Sequence, residues 1–153
     1  MRPDFLGSDK GRGDILASSN SSRQHSKGYR IELLRVYDAT GRTGDEYRVL
    51  VDRLWPRGIS KADADIDEWA KEIAPSTELR KWYGHDPARF EEFSRRYRDE
   101  LSTDIATGEL SRLVEISRRR SLVILTATRE LDISGAAVLY EVLRSLNAGY
   151  RRL

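Results

Sequence analysis

The sequence predicts an α/β fold, a single compact domain with a largely parallel sheet flanked by helices, preceded by a disordered N-terminal tail. Three short stretches rich in aliphatic, β-branched and aromatic residues, at 29–37, 47–52 and 121–127, have the length and composition of strands. Between the second and third of them, and again after the third, apolar residues recur every three or four positions, the period of a helix packed on one side. Strands separated by helical crossovers favour parallel pairing. A chain of 153 residues, 39% apolar and 34% charged, has the length and apolar content for one core.

Residues 1–28 hold Gly11, Gly13 and a polar run from Ser18 to Ser26, with few apolar side chains. That is too little burial to offset the entropy of ordering them, so a mobile polar tail is expected, with the α/β domain at 29–153. The first strand candidate, 29–37, is partly alternating and ends at Asp38 before a loop with Gly41 and Gly44. The second, 47–52, has a near-continuous apolar centre that suits an interior strand. Ile66, Trp69, Ala70 and Ile73 then fall at helical spacing, and Pro75 ends that expected helix. Ser76 is placed to cap the next helix, which shows Leu79, Trp82 and Tyr83 on one face and stops at Gly84. Asp86 followed by Pro87 is a helix start, with Phe90, Phe93, Tyr97 and Leu101 on one side. Leu110, Leu113, Val114 and Ser117 mark a shorter helix before the third strand, 121–127. Ser134 caps the last helix, whose expected stripe is Ala137, Val138, Val142, Leu143 and Leu146, ending near Gly149.

Composition narrows the function classes. The chain has no cysteine, which excludes disulfides, thiolate metal sites and cysteine nucleophiles and suits a reducing, cytoplasmic setting. No apolar run is long enough for a membrane span or a secretory signal, so neither is expected. The excess of 27 Lys and Arg over 25 Asp and Glu resides in residues 1–28, where Arg2, Lys10, Arg12, Arg23 and Lys27 face Asp4, Asp9 and Asp14. The remainder is formally neutral, so general nucleic-acid binding is not expected.

In open α/β sheets ligands bind beyond the carboxyl ends of the strands. Those ends offer Asp38, Asp52 with Arg53, and residues 126–129. The run Asp52-Arg53-Leu54-Trp55-Pro56-Arg57-Gly58 combines two guanidinium forks, an indole and two residues that constrain a turn, the makings of a shaped anion site. The competing view is structural: Asp52 paired with Arg53, and Trp55 in the core. A second cluster, Leu79-Arg80-Lys81-Trp82-Tyr83-Gly84-His85-Asp86-Pro87, supplies Arg80 and the only histidine outside the tail. His85 is thus the candidate acid or base, with Asp52 or Asp86 to orient its partners; alternatively it is a hydrogen-bonding group of the loop. Thr126, Thr128 and Arg129 are further candidates for holding a ligand, unless Arg129 and Glu130 are only a solvated pair. No set of imidazole and thiolate ligands specifies a metal, and no dinucleotide, phosphate-loop or nucleophile-elbow motif specifies a cofactor or mechanism. The cluster Arg95, Arg96 and Arg98 reads as helix surface.

At these motifs the chain resembles the DUF488 family of uncharacterised proteins, in particular its YeaO-like branch. The likeness is carried by Arg35-Val36-Tyr37, VDRLWPRG at 51–58, Trp69, Ala74-Pro75-Ser76, LRKWY at 79–83, His85-Asp86-Pro87, Phe93, Tyr97 and AAVL at 136–139. The resemblance implies a compact α/β fold and brings no established activity. It also implies a His-Asn or His-Ser pair before the final helix, where this chain has Ile133-Ser134. Ser134 therefore joins Arg53, Trp55, Arg57, Arg80, Thr126 and Arg129 as an expected ligand-binding residue, while the histidine of the pair is replaced.

Three functions compete. An enzyme acting on a small anionic or phosphate-bearing metabolite would use Arg53, Arg57 and Arg80 against developing charge and His85 for proton transfer. A non-catalytic sensor would use the arginines and Trp55 alone. A nucleic-acid or protein-interaction module would present the Arg95, Arg96 and Arg98 face. The expected partner is a small anionic molecule, and the oligomeric state is left open.

Overall fold

The strand Leu122–Thr126, buried at all five positions, organises the architecture. The computed structural model describes residues 30–39, 42 and 44–152; the tail expected at 1–28 lies outside the described residues. In chain order the elements are β1 (Ile31–Arg35), β2 (Tyr47–Leu50), α1 (Lys61–Ala64), β3 (Glu68–Trp69), α2 (Thr77–Tyr83), α3 (Phe90–Glu100), α4 (Asp104–Ser117), β4 (Leu122–Thr126) and α5 (Gly135–Arg152). Single 3-10 turns lie at Lys71–Ile73, Pro87–Arg89 and Leu131–Ile133.

Among the described residues the sheet has four strands in the order β1-β4-β2-β3, all parallel, as the crossover argument predicts. Leu122 stands opposite Ile31 on one side and Tyr47 on the other, and Leu125 opposite Leu34 and Leu50. Side chains alternate between the faces of a strand. Leu122 and Ile124, with Val49 and Val51, face a core built with α2, α3, α4 and α5, where Tyr97, Leu113, Leu139 and Leu143 are fully enclosed. Val123, Leu125 and Leu50 face the other way, under a thinner layer of Val36, Trp55, Ile59, Ile66 and Trp69 drawn mostly from connecting segments. Near the amino end of β2 that layer is sealed by charge. Arg48, 2% exposed, donates to the Ala39 carbonyl at 2.9 Å, and Arg42 reaches Asp65 at 2.7 Å and Asp67 at 2.8 Å.

The local capping chemistry is as the sequence predicts. Ser76 Oγ accepts from the Leu79 amide at 3.1 Å, Gly84 ends α2 at φ +54°, and Asp86 Oδ1 accepts from the Ala88 amide at 3.0 Å. Two expectations are corrected. Residues 66–73 are not a helix: Glu68–Trp69 pairs beside β2, with the Ala70 amide donating to the Leu50 carbonyl at 2.8 Å and the Trp69 indole to the Asp52 carbonyl at 2.7 Å. The segment passes over the sheet edge, so Ile66 and Trp69 serve one face and Ala70 and Ile73 the other, which produces a helix-like spacing without a helix. The buried stripe of α5 is Ala136, Val138, Leu139 and Leu143, while Leu146 is 43% exposed and the helix runs through Gly149 to Arg152. Packing on β1 and β4 as well as α3 and α4 turns that face inward.

Candidate functional site

β2 gives way to the chemistry at its carboxyl end. The Val51 amide still bonds the Leu125 carbonyl at 3.1 Å, and the next residue, Asp52, turns its carboxylate onto the end of β4. Its Oδ1 accepts from the Thr126 hydroxyl and its Oδ2 from the Ala127 amide, both at 2.7 Å. Burial pushes the Asp52 carboxyl above its ordinary pKa, against the opposing pull of these two hydrogen bonds and of His85. Asp52 thus ties the central strands together where they end. Arg53 is held separately, donating from Nε to the Pro75 carbonyl at 2.9 Å and from NH2 to the Ala74 carbonyl at 3.4 Å. The alternative of an Asp52–Arg53 ion pair is therefore not what the two residues form.

The following loop is braced at several points. Trp55 is half-buried, donates its indole N–H to the Ile59 carbonyl at 2.6 Å, and meets the Trp69 ring edge-on at 5.3 Å. The Tyr37 hydroxyl donates to the Arg57 carbonyl at 2.8 Å, while the Arg57 side chain is exposed. Gly58 at φ +79° supplies the left-handed turn that leads the loop away.

Across from this loop, α2 places Arg80 in its last turn and ends in two successive left-handed residues, Gly84 at φ +54° and His85 at φ +59°. A left-handed conformation is uncommon for a residue with a Cβ, and here it brings an exposed His85 back beside the Tyr83 ring, 5.9 Å between centroids. Tyr83 in turn stacks on Phe93 at 4.1 Å and donates to the Ile133 carbonyl at 2.6 Å, so α2, α3 and the turn before α5 meet at one point. Arg80 Nε is buried and has no hydrogen-bond partner among the described residues.

These groups surround a cavity of about 570 Å³ at the carboxyl ends of β2 and β4. Asp52, Arg53, Trp55, Arg57, Arg80 and His85 line it, and Arg129 closes a further side. The structure so brings seven of the nine candidate residues together. Thr126 and Ser134 stand behind the wall instead. Thr126, fully buried, positions Asp52; Ser134, 1% exposed, donates to the Leu131 carbonyl at 2.7 Å and caps α5 by accepting from the Ala137 amide at 3.0 Å. Both are engaged in internal hydrogen bonds and neither is among the residues that line the cavity.

Sequence reasoning missed several parts of the wall. Tyr37, Pro75, Tyr83 and the start of α5 at Gly135 and Ala136 all line the cavity. The amides of Gly135 and Ala136 occupy the first two positions of an 18-residue helix and have no acceptor among the described residues. Such amides and the helix dipole favour an anion. Closeness favours glycine at 135: a Cβ there would lie 3.0 Å from Pro75 Cγ and 3.4 Å from Phe93 Cζ. The signal available for this end of the wall was Ser134 as a cap, which fixes where α5 begins. Among the described residues no group of three or more His, Asp or Glu side chains stands where it could share a metal ion.

Residues 30–149 match the family model described as the inactive DUF488-N3 subclade. The chain belongs to the DUF488 family. It is 46% identical over 114 residues to the uncharacterised protein Rv3073c of Mycobacterium tuberculosis, covering 74% of this chain and 93% of the relative. To the uncharacterised protein YeaO of Escherichia coli it is 43% identical over 116 residues, 76% of this chain and 98% of the relative. No solved structure matches the chain. In this DUF488 domain the position at which the resemblance implies a histidine is Ile133, whose carbonyl receives the Tyr83 hydroxyl. Of the DUF488 motif VDRLWPRG, Val51 through Arg57 line the cavity, and of LRKWY, Arg80 and Tyr83 do so together with His85. No helix among the described residues of this DUF488 chain is long and apolar enough to cross a membrane.

Proposed function

We propose that the protein is a cytoplasmic, non-catalytic binding protein for a small anionic metabolite, a phosphate-bearing one in particular. The observation that carries this reading is that Arg53, Arg57, Arg80 and Arg129, from three separate parts of the chain, line one cavity whose carboxylates are Asp52 and Glu130. Four guanidiniums against two carboxylates leave the lining with an excess of positive charge, and both Asp52 oxygens already accept internal hydrogen bonds. The free amides at the start of α5 add donors of the same preference. Non-catalytic binding agrees with the description of the subclade as inactive and with Ile133 at the position of the implied histidine. A nucleic-acid role is less well supported, since Arg95 and Arg96 are engaged by Glu92 at 2.5 and 2.7 Å.

One observation favours a second reading, an acid–base enzyme on the same metabolite: His85 is exposed and faces the same cavity as Asp52 and the arginines. A thermal-shift screen of the full chain against phosphates, nucleotides and small carboxylates tests both, because a ligand that binds only the native state raises its stability. Binding is expected to give a saturable shift that Arg57→Ala or Arg53→Ala reduces and His85→Ala leaves in place. Absence of any saturable shift across the panel refutes the anion-binding proposal. Turnover of the stabilising compound by the wild-type protein, lost in His85→Ala, moves the conclusion to the enzyme.

A further inference from the structure

Two sets of lining residues differ in chemistry. The end of α2 and the start of α5 contribute Arg80, His85, Gly135 and Ala136 to the lining. The loop after β2 and Tyr37, joined by the Tyr37–Arg57 hydrogen bond, contribute Tyr37, Leu54, Trp55 and Pro56, with Arg57 as their cation. Among the described residues the large apolar side chains open to solvent are Tyr37 at 38%, Leu54 at 59%, Ile105 at 77% and Leu146 at 43%, so two of the four belong to this second set. They are not there through looseness. The Tyr37 hydroxyl is tethered to the Arg57 carbonyl, the Arg35 guanidinium lies 4.8 Å over the Tyr37 ring, and Trp55 is fixed through Ile59 and Trp69.

A lone inorganic anion would use the cationic set and leave the apolar one wet. A volume of about 570 Å³ instead falls within the ~300–1,000 Å³ of pockets that enclose drug-sized molecules, which combine apolar lining with a few placed polar groups. Aromatic side chains favour flat partners that stack or meet them edge-on. On the cationic side, guanidinium forks and two parallel amides offer more donors than a carboxylate has directions to accept, and suit a tetrahedral group.

We propose that the ligand is a phosphate monoester whose esterified part is a flat apolar ring, its phosphate held between Arg80 and the start of α5 and its ring against Tyr37, Leu54 and Trp55. This rests on the anion-binding reading above and specifies the other half of the molecule. Isothermal calorimetry of the full chain with phenyl phosphate, propyl phosphate and inorganic phosphate tests it. Phenyl phosphate is expected to bind about tenfold tighter than propyl phosphate. Leu54→Ser, at a position exposed enough to keep the fold, is expected to shrink that ratio to about twofold while leaving inorganic phosphate unchanged, and Arg80→Gln to weaken all three alike. Equal affinity for the phenyl and propyl esters, or a ratio untouched by Leu54→Ser, overturns the ring site while the anion pocket stands. Failure of all three to bind removes the anion pocket and the ring site together.

Discussion

Replacing Asp52 should cost stability in a graded way that reports its role at the ends of the strands. The carboxylate accepts two hydrogen bonds of 2.7 Å, from the Thr126 hydroxyl and the Ala127 amide. In Asp52→Ala the Thr126 hydroxyl escapes by turning to Thr128 Oγ1, 3.2 Å away, but the Ala127 amide has no such alternative. An orphaned buried donor costs about 1–3 kcal/mol, and relief of the burial of a charge returns part of it, so the expected loss is about 2 kcal/mol. Asp52→Asn retains an oxygen for the Ala127 amide and can turn its NH2 toward Thr126 Oγ1, and should lose only about 1 kcal/mol. The pair also has a pH signature. Because burial holds the folded-state pKa of Asp52 above its unfolded value, the stability it contributes is complete below about pH 4 and is lost as pH rises through the folded value. The advantage of wild type over Asp52→Asn is then widest in acid and narrows toward neutrality. Urea unfolding of the three proteins at several pH values measures all of this through the midpoint and slope. Equal midpoints for Asp52→Ala and Asp52→Asn, or an advantage that grows with pH, would refute the reasoning.

Gly135→Ala should destabilise by about 1–3 kcal/mol in calorimetric melts, because its Cβ would press on Pro75 Cγ at 3.0 Å inside a filled junction. Ser76→Ala removes the cap of the Leu79 amide and a donor that Glu100 receives at 2.6 Å, and should cost about 1–2 kcal/mol in urea unfolding. Burial first, and then the charges of Glu100 and Asp52, raise the Tyr97 phenol far above its ordinary range, with Arg53 opposing. In a spectrophotometric titration compared with Tyr97→Phe, its phenolate should therefore emerge only together with alkaline unfolding; an early reversible titration would contradict the enclosed position.

What could be read beforehand was whatever local chemistry decides. Ser76, Gly84 and the Asp86-Pro87 pair act on amides and dihedrals within a few residues, and each does in the structure what its type predicts. The parallel sheet followed from the order of strand-like and helix-like stretches. Glu68–Trp69 was not legible, because a two-residue strand is defined by its partner β2 and not by its own period. The site divides along the same line. Residues 52–58 and 79–85 advertised themselves through costly side chains placed after a strand and at a helix end. Tyr37, Gly135 and Ala136 line the cavity by long-range apposition, which no local pattern in the sequence announces. Thr126 looked available because it ends a strand; its register beside Arg35 and the Asp52 carboxylate over its hydroxyl are what enclose it.

The unequal cover of the sheet gives the two parts of the cavity different shares in the cooperativity of the core. Arg80 and the start of α5 belong to the layer in which four helices interlock, so they share the cooperative unfolding of the core. Trp55 belongs to the opposite, thinner layer, made mostly of connecting segments, and Leu54 and Arg57 are exposed on the same loop. Amides of 53–66 should exchange with solvent through local openings that leave the α5 amides protected. The helix-built side of the cavity thus keeps its geometry for as long as the core does, while the other side rests on a few individual braces, the Tyr37–Arg57 and Trp55–Ile59 hydrogen bonds among them.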